Sequence, residues 1–485
     1  MSAATRSAAA DRELASRRWV ALAFIGLAQL MVALDATIVS IALPSAQGAL
    51  GVSDADRQWM ITAYTLAFGG LLLLGGRVAD RFGRKRTFLV GLGGFALASA
   101  VGGAAPNFAV LVGARALQGA FGALLAPTAL SLLAIMFTEP RERAKAFAVY
   151  GAIAGSGAAV GMLLGGVLTE YVTWRWCLYV NVPIAVVAAA GAWTFLKTPS
   201  AAGRARLDLP GALLATAGLV ALVYACTRAV TDGWGSIPVM APLAASALLL
   251  VSFVLRQVRA TEPLLPLHIV LDRNRGGAYL AVALGIAGMF GAFLFLTYYL
   301  QVVLHYSPLR AGLAFLPITL ATQVGSWAIA SRLMPRLPAA ALMVPGALVA
   351  AAGMAMLTQL QVHSAYLSLV LPAEVLLGMG TACVMVPAFS IGTLGVDRRE
   401  AGAAAAIVNT AQQIGGSLGT ALLNTIAASA TAAYLASHSG RPDTVHALVH
   451  GYRVATIWAT AVLVLGGVVA AVLIDAGRSA PQSTG

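Results

Sequence analysis

The sequence has 485 residues, of which 59% are hydrophobic and only 10% are charged, whereas an ordinary soluble domain is roughly 25% charged. Its mean hydropathy is +0.85 and its formal net charge is +13. So few charged side chains cannot cover a soluble domain of this size, and this composition also excludes a disordered chain. An outer-membrane barrel would need polar residues at alternate positions. The remaining class is an all-α polytopic membrane protein, because a helix satisfies its own backbone hydrogen bonds in hydrocarbon.

Fourteen apolar segments are long enough to cross a bilayer, which takes about 20 helical residues. In chain order, the predicted spans are 19–43, 58–76, 87–105, 108–136, 146–168, 177–196, 209–228, 238–256, 276–301, 311–331, 338–359, 366–390, 401–430 and 453–475. The first follows Arg12, Arg17 and Arg18 and is too long for the apolar region of a cleaved signal peptide. It is therefore predicted to be a retained span.

The basic residues predict how the chain is oriented. Most of the 31 Lys and Arg residues fall before the first span and in every second loop after it. Because cytoplasmic loops carry this excess, both termini are predicted to be cytoplasmic, in a multi-pass protein of the inner (cytoplasmic) membrane. The alternation supports the count of fourteen spans. It also explains the positive net charge, so no nucleic-acid partner is predicted.

A short internal repeat in the sequence indicates two related halves. Residues 80–83 after span 2 align with residues 335–338 after span 10, and many transporters consist of related halves with the substrate site between them. The predicted domains are a cytoplasmic tail (1–18), an N-terminal six-helix bundle (19–200), a two-helix insert (201–260), a C-terminal six-helix bundle (261–475) and a second cytoplasmic tail (476–485). The chain is expected to act as a monomer.

Three charged residues stand out because they lie away from the ends of predicted spans, and a charge costs roughly 2.5–3.5 kcal/mol at the helix centre. Asp35 in span 1 and Arg115 in span 4 lie at similar depths from the same side and are predicted to pair. An acid beside an Arg can exchange that partner for a proton. The alternative is a static ion pair that holds helices together. Glu374 in span 12 is predicted to be a proton site or a contact for a cationic substrate, the alternative being a neutral Glu that bonds a neighbouring helix.

Other residues within the spans are candidates for a cavity or for helix packing. The candidate cavity-lining residues are Gln118, Asn181, Gln323, Asn409, Gln412 and Gln413. Hydrogen bonds between helices explain the polar residues of spans 10 and 13 equally well. In span 5, Gly157, Gly161 and Gly165 recur every four residues, and this spacing predicts a face on which another helix approaches closely.

The six histidines do not predict a metal site. His446 and His450 have the i, i+4 spacing of metal ligands and follow His438, but only Asp443 accompanies them. Solvated histidines in the loop between spans 13 and 14 are expected instead. The sequence contains no phosphate-binding loop and no pair of nucleophile and base. It therefore predicts no cofactor, no ATP-driven transport and no enzyme.

The loop after span 2 reads GRVADRFGRKR from Gly76 to Arg86. It resembles the signature of the major facilitator superfamily, G-x-L-A-D-R-x-G-R-K. An Asp among Arg residues can form a charge network that holds two bundles together and breaks as they rock, while Gly permits a tight turn. The candidate gating residues are Gly76, Asp80, Arg81, Gly83, Arg84 and Lys85.

Further segments resemble motifs of one branch, the fourteen-helix drug:proton antiporters. They are LDATIV from Leu34, RALQG from Arg115, WRW from Trp174, NVP from Asn181, SPLRAG from Ser307 and QIGGSLG from Gln413. The resemblance implies a major facilitator fold, with two six-helix bundles plus two inserted helices, and it ties Arg115 to proton transfer. That branch has Gly-Pro in span 5, whereas Met162 follows Gly161 here, so a straighter helix is expected.

The sequence therefore predicts a secondary transporter that exports lipophilic small molecules, cationic ones included, in exchange for protons by alternating access. Asp35 and Arg115 are predicted to couple the protons, and Glu374 to be a second acid or a substrate contact. The predicted partners are the small-molecule substrate, protons and the lipid bilayer. The alternatives are an importer or uniporter of a nutrient on the same fold and a membrane receptor that transports nothing.

Overall fold

The computed structural model describes residues 3–54, 56–137, 139–196, 208–260, 263–265, 267–334, 336–393, 401–437 and 443–474. Within these ranges every regular element is a helix. Fourteen helices in these ranges are long and apolar enough to cross a membrane. They are α1 (Arg17–Leu50), α2 (Trp59–Phe82), α3 (Arg84–Gly103), α4 (Phe108–Met136), α5 (Lys145–Tyr171), α6 (Trp176–Phe195), α7 (Leu209–Ala229), α8 (Ile237–Arg259), α9 (Arg273–Val303), α10 (Pro308–Leu333), α11 (Ala339–Leu357), α12 (Tyr366–Gly392), α13 (Ala406–Ser437) and α14 (Thr444–Leu473).

Each predicted span coincides with one of these helices, and the largest difference is at the start of α14. This helix begins at Thr444, whereas the span was predicted to begin at 453. Asp443 caps it, because its Oδ1 accepts hydrogen bonds from the N–H groups of Val445 (3.0 Å) and His446 (3.1 Å). The first turns contain polar residues that a search for apolar runs leaves out. His446 and His450 are exposed, as predicted, but they lie in this helix and not in a loop, while His438 lies outside the described ranges.

Two helices continue beyond their membrane-spanning segments, and three others contain a π-helical stretch. The helix of α1 extends back to Ala3, into the predicted tail, and the helix of α5 runs without a break from Pro140 to Tyr171. Short π-helical stretches occur in α9 (Tyr299–Val303), α10 (Gly325–Ala330) and α12 (Tyr366–Val370). Such stretches are frequent at functional sites.

The helices pack into two six-helix bundles joined by a pair. In the first bundle α1 packs against α5 and α6, and α4 packs against α2 and α3; in the second, α9 packs against α13 and α14, and α12 against α10 and α11. The inserted helix α7 contacts both bundles. Gln58 at the start of α2 donates to Thr227 of α7 (2.6 Å), and Thr425 of α13 donates to the carbonyl of Cys226 (2.9 Å). The domain boundaries at 200 and 261, and the tail 476–485, lie outside the described residues and stay predictions.

Asp208 fastens the two inserted helices at one end. It precedes α7, and its carboxylate accepts hydrogen bonds from Arg256 Nε (2.6 Å) and Gln257 Nε2 (3.0 Å) near the end of α8. Burial alone would raise the pKa of Asp208, but bonds from Arg256, the Gly211 N–H and Gln257 hold that pKa below its usual range. The stabilisation that these bonds give to the packing of α7 on α8 is fully present at a pH above the pKa of Asp208 in the unfolded chain. It is lost as the pH falls through the pKa of Asp208 in the folded protein.

The three glycines predicted to form a packing face in span 5 lie against α1. A Cβ atom added at Gly161 would lie 2.2 Å from Thr37 Oγ1 and 2.8 Å from the Leu34 carbonyl oxygen. One added at Gly157 would lie 2.5 Å from the Cβ of Ala33, and one at Gly165 would lie 2.9 Å from the carbonyl oxygen of Ile38. The backbones of α1 and α5 therefore approach at a distance that no larger residue permits.

Replacing Gly161 by Val is expected to force α1 and α5 apart and to lower the free energy of unfolding by about 1–3 kcal/mol. Thermal unfolding of the purified protein in detergent measures this. Gly151→Val is the matched control, because the same helix has open space at that position. Equal losses in the two variants would contradict close packing as the reason.

Candidate functional site

Asp35 lies in the middle of α1, fully buried, and α4 and α6 supply its hydrogen-bond donors. Arg115 Nη1 donates to Oδ2 at 2.6 Å. Gln118 Nε2 and Asn181 Nδ2 donate to Oδ1 at 3.1 and 2.7 Å. Both carboxylate oxygens thus accept hydrogen bonds from N–H groups. An ionised carboxylate, which can only accept, fits this environment.

Arg115 is only 1% exposed, and its guanidinium makes further contacts. Its Nε donates to the carbonyl oxygen of Met60 (3.0 Å), and Nη1 also lies 3.0 Å from Gln118 Oε1. The guanidinium carbon stands 4.4 Å from the ring centroid of Tyr64, close enough for a cation–π interaction. The cost of burying this charge is therefore offset from several sides.

Ser99 of α3 completes a set of five residues that we call the Asp35 network: Asp35, Ser99, Arg115, Gln118 and Asn181. Its Oγ accepts hydrogen bonds from Gln118 Nε2 (2.5 Å) and Asn181 Nδ2 (3.1 Å). Sequence reasoning placed Gln118 and Asn181 in a cavity, whereas here they hold the acid. It missed Ser99, because a single Ser in an apolar helix usually bonds its own backbone and carries no distinguishing signal.

Breaking the ion pair from one side is expected to cost more than removing both charges. Arg115→Met leaves Asp35 buried without its cation, and we expect a loss of about 3–5 kcal/mol in the free energy of unfolding. The double variant Asp35→Asn with Arg115→Met is expected to lose less, because no uncompensated charge remains. A double-mutant cycle by denaturant unfolding in detergent measures this coupling, and additive losses would contradict it.

Glu374 lies in α12 of the second bundle, fully buried. Its Oε2 is 3.2 Å from the hydroxyl of Tyr366, and its Oε1 has no hydrogen-bond partner within the described chain. The same hydroxyl donates to the carbonyl oxygen of Ala314 in α10, at 2.6 Å. Glu374 is thus bonded within the second bundle and not to the Asp35 network.

The remaining candidate cavity residues lie on α10 and α13. All four are half-buried: Gln323, Asn409, Gln412 and Gln413. Two of them lie where the bundles meet. A Cβ added at Gly155 of α5 would be 2.9 Å from the Nε2 atom of Gln323, and one added at Gly69 of α2 would be 2.7 Å from the Cβ of Gln413. These two glutamines therefore face the first bundle.

The candidate gating residues surround the turn between α2 and α3. Gly83 has a φ of +92°, a conformation that favours Gly and lets the chain reverse in a single residue. Arg84 donates to Asp80 across this turn (3.1 Å), and Lys85 donates to the carbonyl oxygen of Trp193 in α6 (2.6 Å). These bonds lie within the first bundle. Two other members lie nearby, Gly76 against Pro127 of α4 and Arg81 with its guanidinium 5.7 Å from the Phe82 ring.

A second polar group joins the two bundles at the opposite end, which carries the loop between α1 and α2. Arg57 is only 3% exposed, and its Nη1 donates to Asp54 (3.0 Å) while its Nε donates to Asn424 of α13 (3.2 Å). Its guanidinium carbon lies 3.8 Å from the ring centroid of Tyr298 in α9. We call these four residues the Arg57 cluster. The sequence does not single out Arg57, because its contacts with Tyr298 and Asn424 arise only from the packing of the two bundles.

Other bonds between the bundles lie at the same end. Glu170 at the end of α5 accepts a hydrogen bond from the N–H of Leu309 (2.9 Å), and Gln301 of α9 donates to the carbonyl oxygen of Ile41 (2.9 Å). With the Arg57 cluster, they seal the bundles together at the end that carries the α1/α2 loop.

Removing the Arg57 side chain is expected to loosen this seal. Spin labels on exposed Ser53→Cys and His363→Cys report the distance between the bundles, since the three native cysteines are buried. In Arg57→Ala we expect the population at longer distance to rise about tenfold, because charged hydrogen bonds are lost. Arg228→Ala is the control, since Arg228 pairs with Asp232 beyond α7 (3.0 Å). Identical distance distributions with and without Arg57 would refute the role of the cluster.

Within the described residues, fourteen candidate membrane helices form two six-helix bundles and an inserted pair, with a buried acid and base in the first bundle, and this architecture defines a polytopic membrane transporter. Residues 25–420 match the Major Facilitator Superfamily, and the chain belongs to this family. The relatives are named for antibiotic resistance and export, and the described residues contain fourteen candidate membrane helices. The predicted fold and the predicted membership of the fourteen-helix drug:proton antiporter family are therefore confirmed, which leaves proton coupling itself to be tested.

Two relatives are similar over most of their length. A puromycin resistance protein of Streptomyces alboniger is 56% identical over 473 residues, which are 97% of this chain and 94% of that protein. A cephamycin export protein of Amycolatopsis lactamdurans is 41% identical over 87% of this chain and 88% of its own. Among solved structures, a bacterial homologue of the human lysosomal transporter Spinster, inward-facing and unoccupied, has a TM-score of 0.68 at 17% identity and covers 94% of this chain and 96% of its own. This last likeness shows the fold alone.

Proposed function

We propose that this chain exports lipophilic small molecules, cationic ones included, across the cytoplasmic membrane in exchange for protons. The names of the relatives support an antibiotic-like substrate, since they refer to resistance to puromycin and to export of cephamycin. The observation that carries proton coupling is the burial of Asp35 against Arg115 at 2.6 Å. A static packing role does not require an ionisable pair in the membrane, where such groups are expensive.

In the proposed cycle, Asp35 alternates between Arg115 and a proton. When a proton binds the carboxylate, its charge is lost and the attraction to Arg115 falls. Arg115 keeps its bonds to the Met60 carbonyl and to Gln118, so it need not leave the site. The bonds between α1 and α4 therefore weaken on protonation, and this change biases the two bundles toward the other arrangement.

Alternating access follows from the seal between the bundles. With the termini in the cytoplasm, the end that carries the Arg57 cluster faces outward, and the present arrangement is closed to the outside. Release of substrate there requires the Arg57 cluster to break. At the cytoplasmic end, Asp80 and Arg84 act as the gate that closes in the alternate state. One chain supplies both bundles and works as a monomer. Glu374 is a second acid or a contact for a cationic substrate.

Asp35→Asn is expected to abolish efflux driven by an imposed pH gradient while leaving the protein inserted, because the amide cannot exchange a proton. Transport into inside-out vesicles measures this, with a protonophore to collapse the gradient. Asp443→Asn is the matched control, since Asp443 is exposed before α14. Undiminished gradient-driven efflux by Asp35→Asn would refute the coupling role. Substrate uptake in place of efflux would point to an importer.

A further inference from the structure

The hydroxyl of Tyr366 reveals which partner holds the proton at Glu374. This hydroxyl has one hydrogen to donate. The Ala314 carbonyl oxygen, at 2.6 Å, cannot donate and takes that hydrogen, while Glu374 Oε2 is farther away at 3.2 Å. With that hydrogen directed to the closer Ala314 oxygen, a protonated carboxyl group can act as the donor in the contact between Glu374 and Tyr366. The geometry therefore favours a proton on Glu374.

The surroundings of the other carboxyl oxygen, Oε1, independently favour a protonated Glu374. Glu374 Oε1 is buried without a hydrogen-bond partner in the described chain, and the residue is 0% exposed. An ionised carboxylate would leave a charged oxygen unsolvated there, at a far higher cost than a neutral acid with one free carbonyl oxygen. A protonated Glu374 removes that cost.

Within the described residues, no basic side chain forms an ion pair with Glu374 as Arg115 does with Asp35. The facing segments Leu316–Val324 of α10 and Ala339–Leu357 of α11 contain no titratable residue. Helix α9, which also packs against α12, carries Arg273, Arg275, Tyr279, Tyr298 and Tyr299, and Tyr306 is a neighbour of Tyr366. Tyr299 donates to the Gln361 carbonyl (2.6 Å), and the exposed Arg310 lies on the Tyr306 ring, 3.8 Å from its centroid. These contacts leave the carboxyl of Glu374 with Tyr366 alone.

We infer that Glu374 carries a proton while Asp35 is ionised in this conformation, and that Tyr366 is the positioning residue that accepts the hydrogen bond of the Glu374 carboxyl. Its place in transport rests on the proposed function: Glu374 is a second proton carrier, in the second bundle. On release, the O–H bond of the carboxyl breaks, the proton leaves to water and the electron pair stays on the carboxylate. A neutral Glu374 does not attract a cationic substrate in this state.

Infrared spectroscopy of the purified full chain at neutral pH tests the protonation state directly. The C=O band of a protonated carboxyl should be present in the wild type, shift in D₂O, disappear in Glu374→Gln and persist in Asp35→Asn. Gln donates to Tyr366 as a protonated Glu does, so this variant should fold. Absence of the band from the wild type, or its persistence in Glu374→Gln, overturns the inference.

Tyr366→Phe tests the positioning role in a chain that keeps Glu374. The carboxyl then loses its acceptor, and its C=O band should move to higher frequency, whereas Tyr306→Phe should leave the band in place. A structural role of Tyr366 alone would not move this band. An unmoved band in Tyr366→Phe overturns its role as the acceptor.

Transport assays separate this inference from the proposed function. Glu374→Gln should lose efflux driven by a pH gradient but keep exchange of labelled for unlabelled substrate, which requires no net proton movement. Full gradient-driven efflux in Glu374→Gln overturns the second proton carrier while leaving Asp35 coupling intact. Full efflux in Asp35→Asn overturns the proposed coupling by Asp35, while the infrared band still supports a protonated Glu374.

Discussion

The ion pair between Asp35 and Arg115 is the interaction on which the first bundle depends. A charge inside a membrane protein is tolerated only where the fold supplies partners. Here α1 contributes the acid, α4 the base and one amide, and α6 a second amide. These helices must therefore stand in one fixed arrangement. On the α5 side of α1, the packing requires the absence of a side chain. Gly161 lets the backbone of α5 lie directly against α1.

We infer different protonation states for the two buried acids because their neighbours differ. Asp35 accepts hydrogen bonds at both oxygens, and a proton on it would displace a donor. Glu374 has one oxygen without a partner and faces, at the other, a hydroxyl that already donates elsewhere. Burial is complete in both cases. Burial alone therefore does not decide the protonation state of an acid in a membrane, and the arrangement of donors does.

Hydropathy was sufficient to predict the fourteen spans, since only long apolar helices satisfy the backbone in hydrocarbon. The scarcity of charge was sufficient to single out Asp35, Arg115 and Glu374. The partners of these residues could not be predicted in the same way. Ser99 and Tyr366 are common residue types in helices, and their importance arises only from which helices become neighbours. The sequence did not predict that α14 begins at Thr444, because the first turns of this helix contain polar residues.

The burial of Arg57 shows how a strong seal remains reversible. Residues of the second bundle, Tyr298 of α9 and Asn424 of α13 among them, contact its guanidinium, and its bonds to Asp54 and Asn424 offset the cost of its burial. When the bundles separate, these bonds break, but water solvates the guanidinium again. The net free energy of the seal is therefore much smaller than the sum of its bonds. In the proposed cycle, a small free-energy difference between the two arrangements of the bundles is what would let a single protonation inside the membrane shift the balance between them.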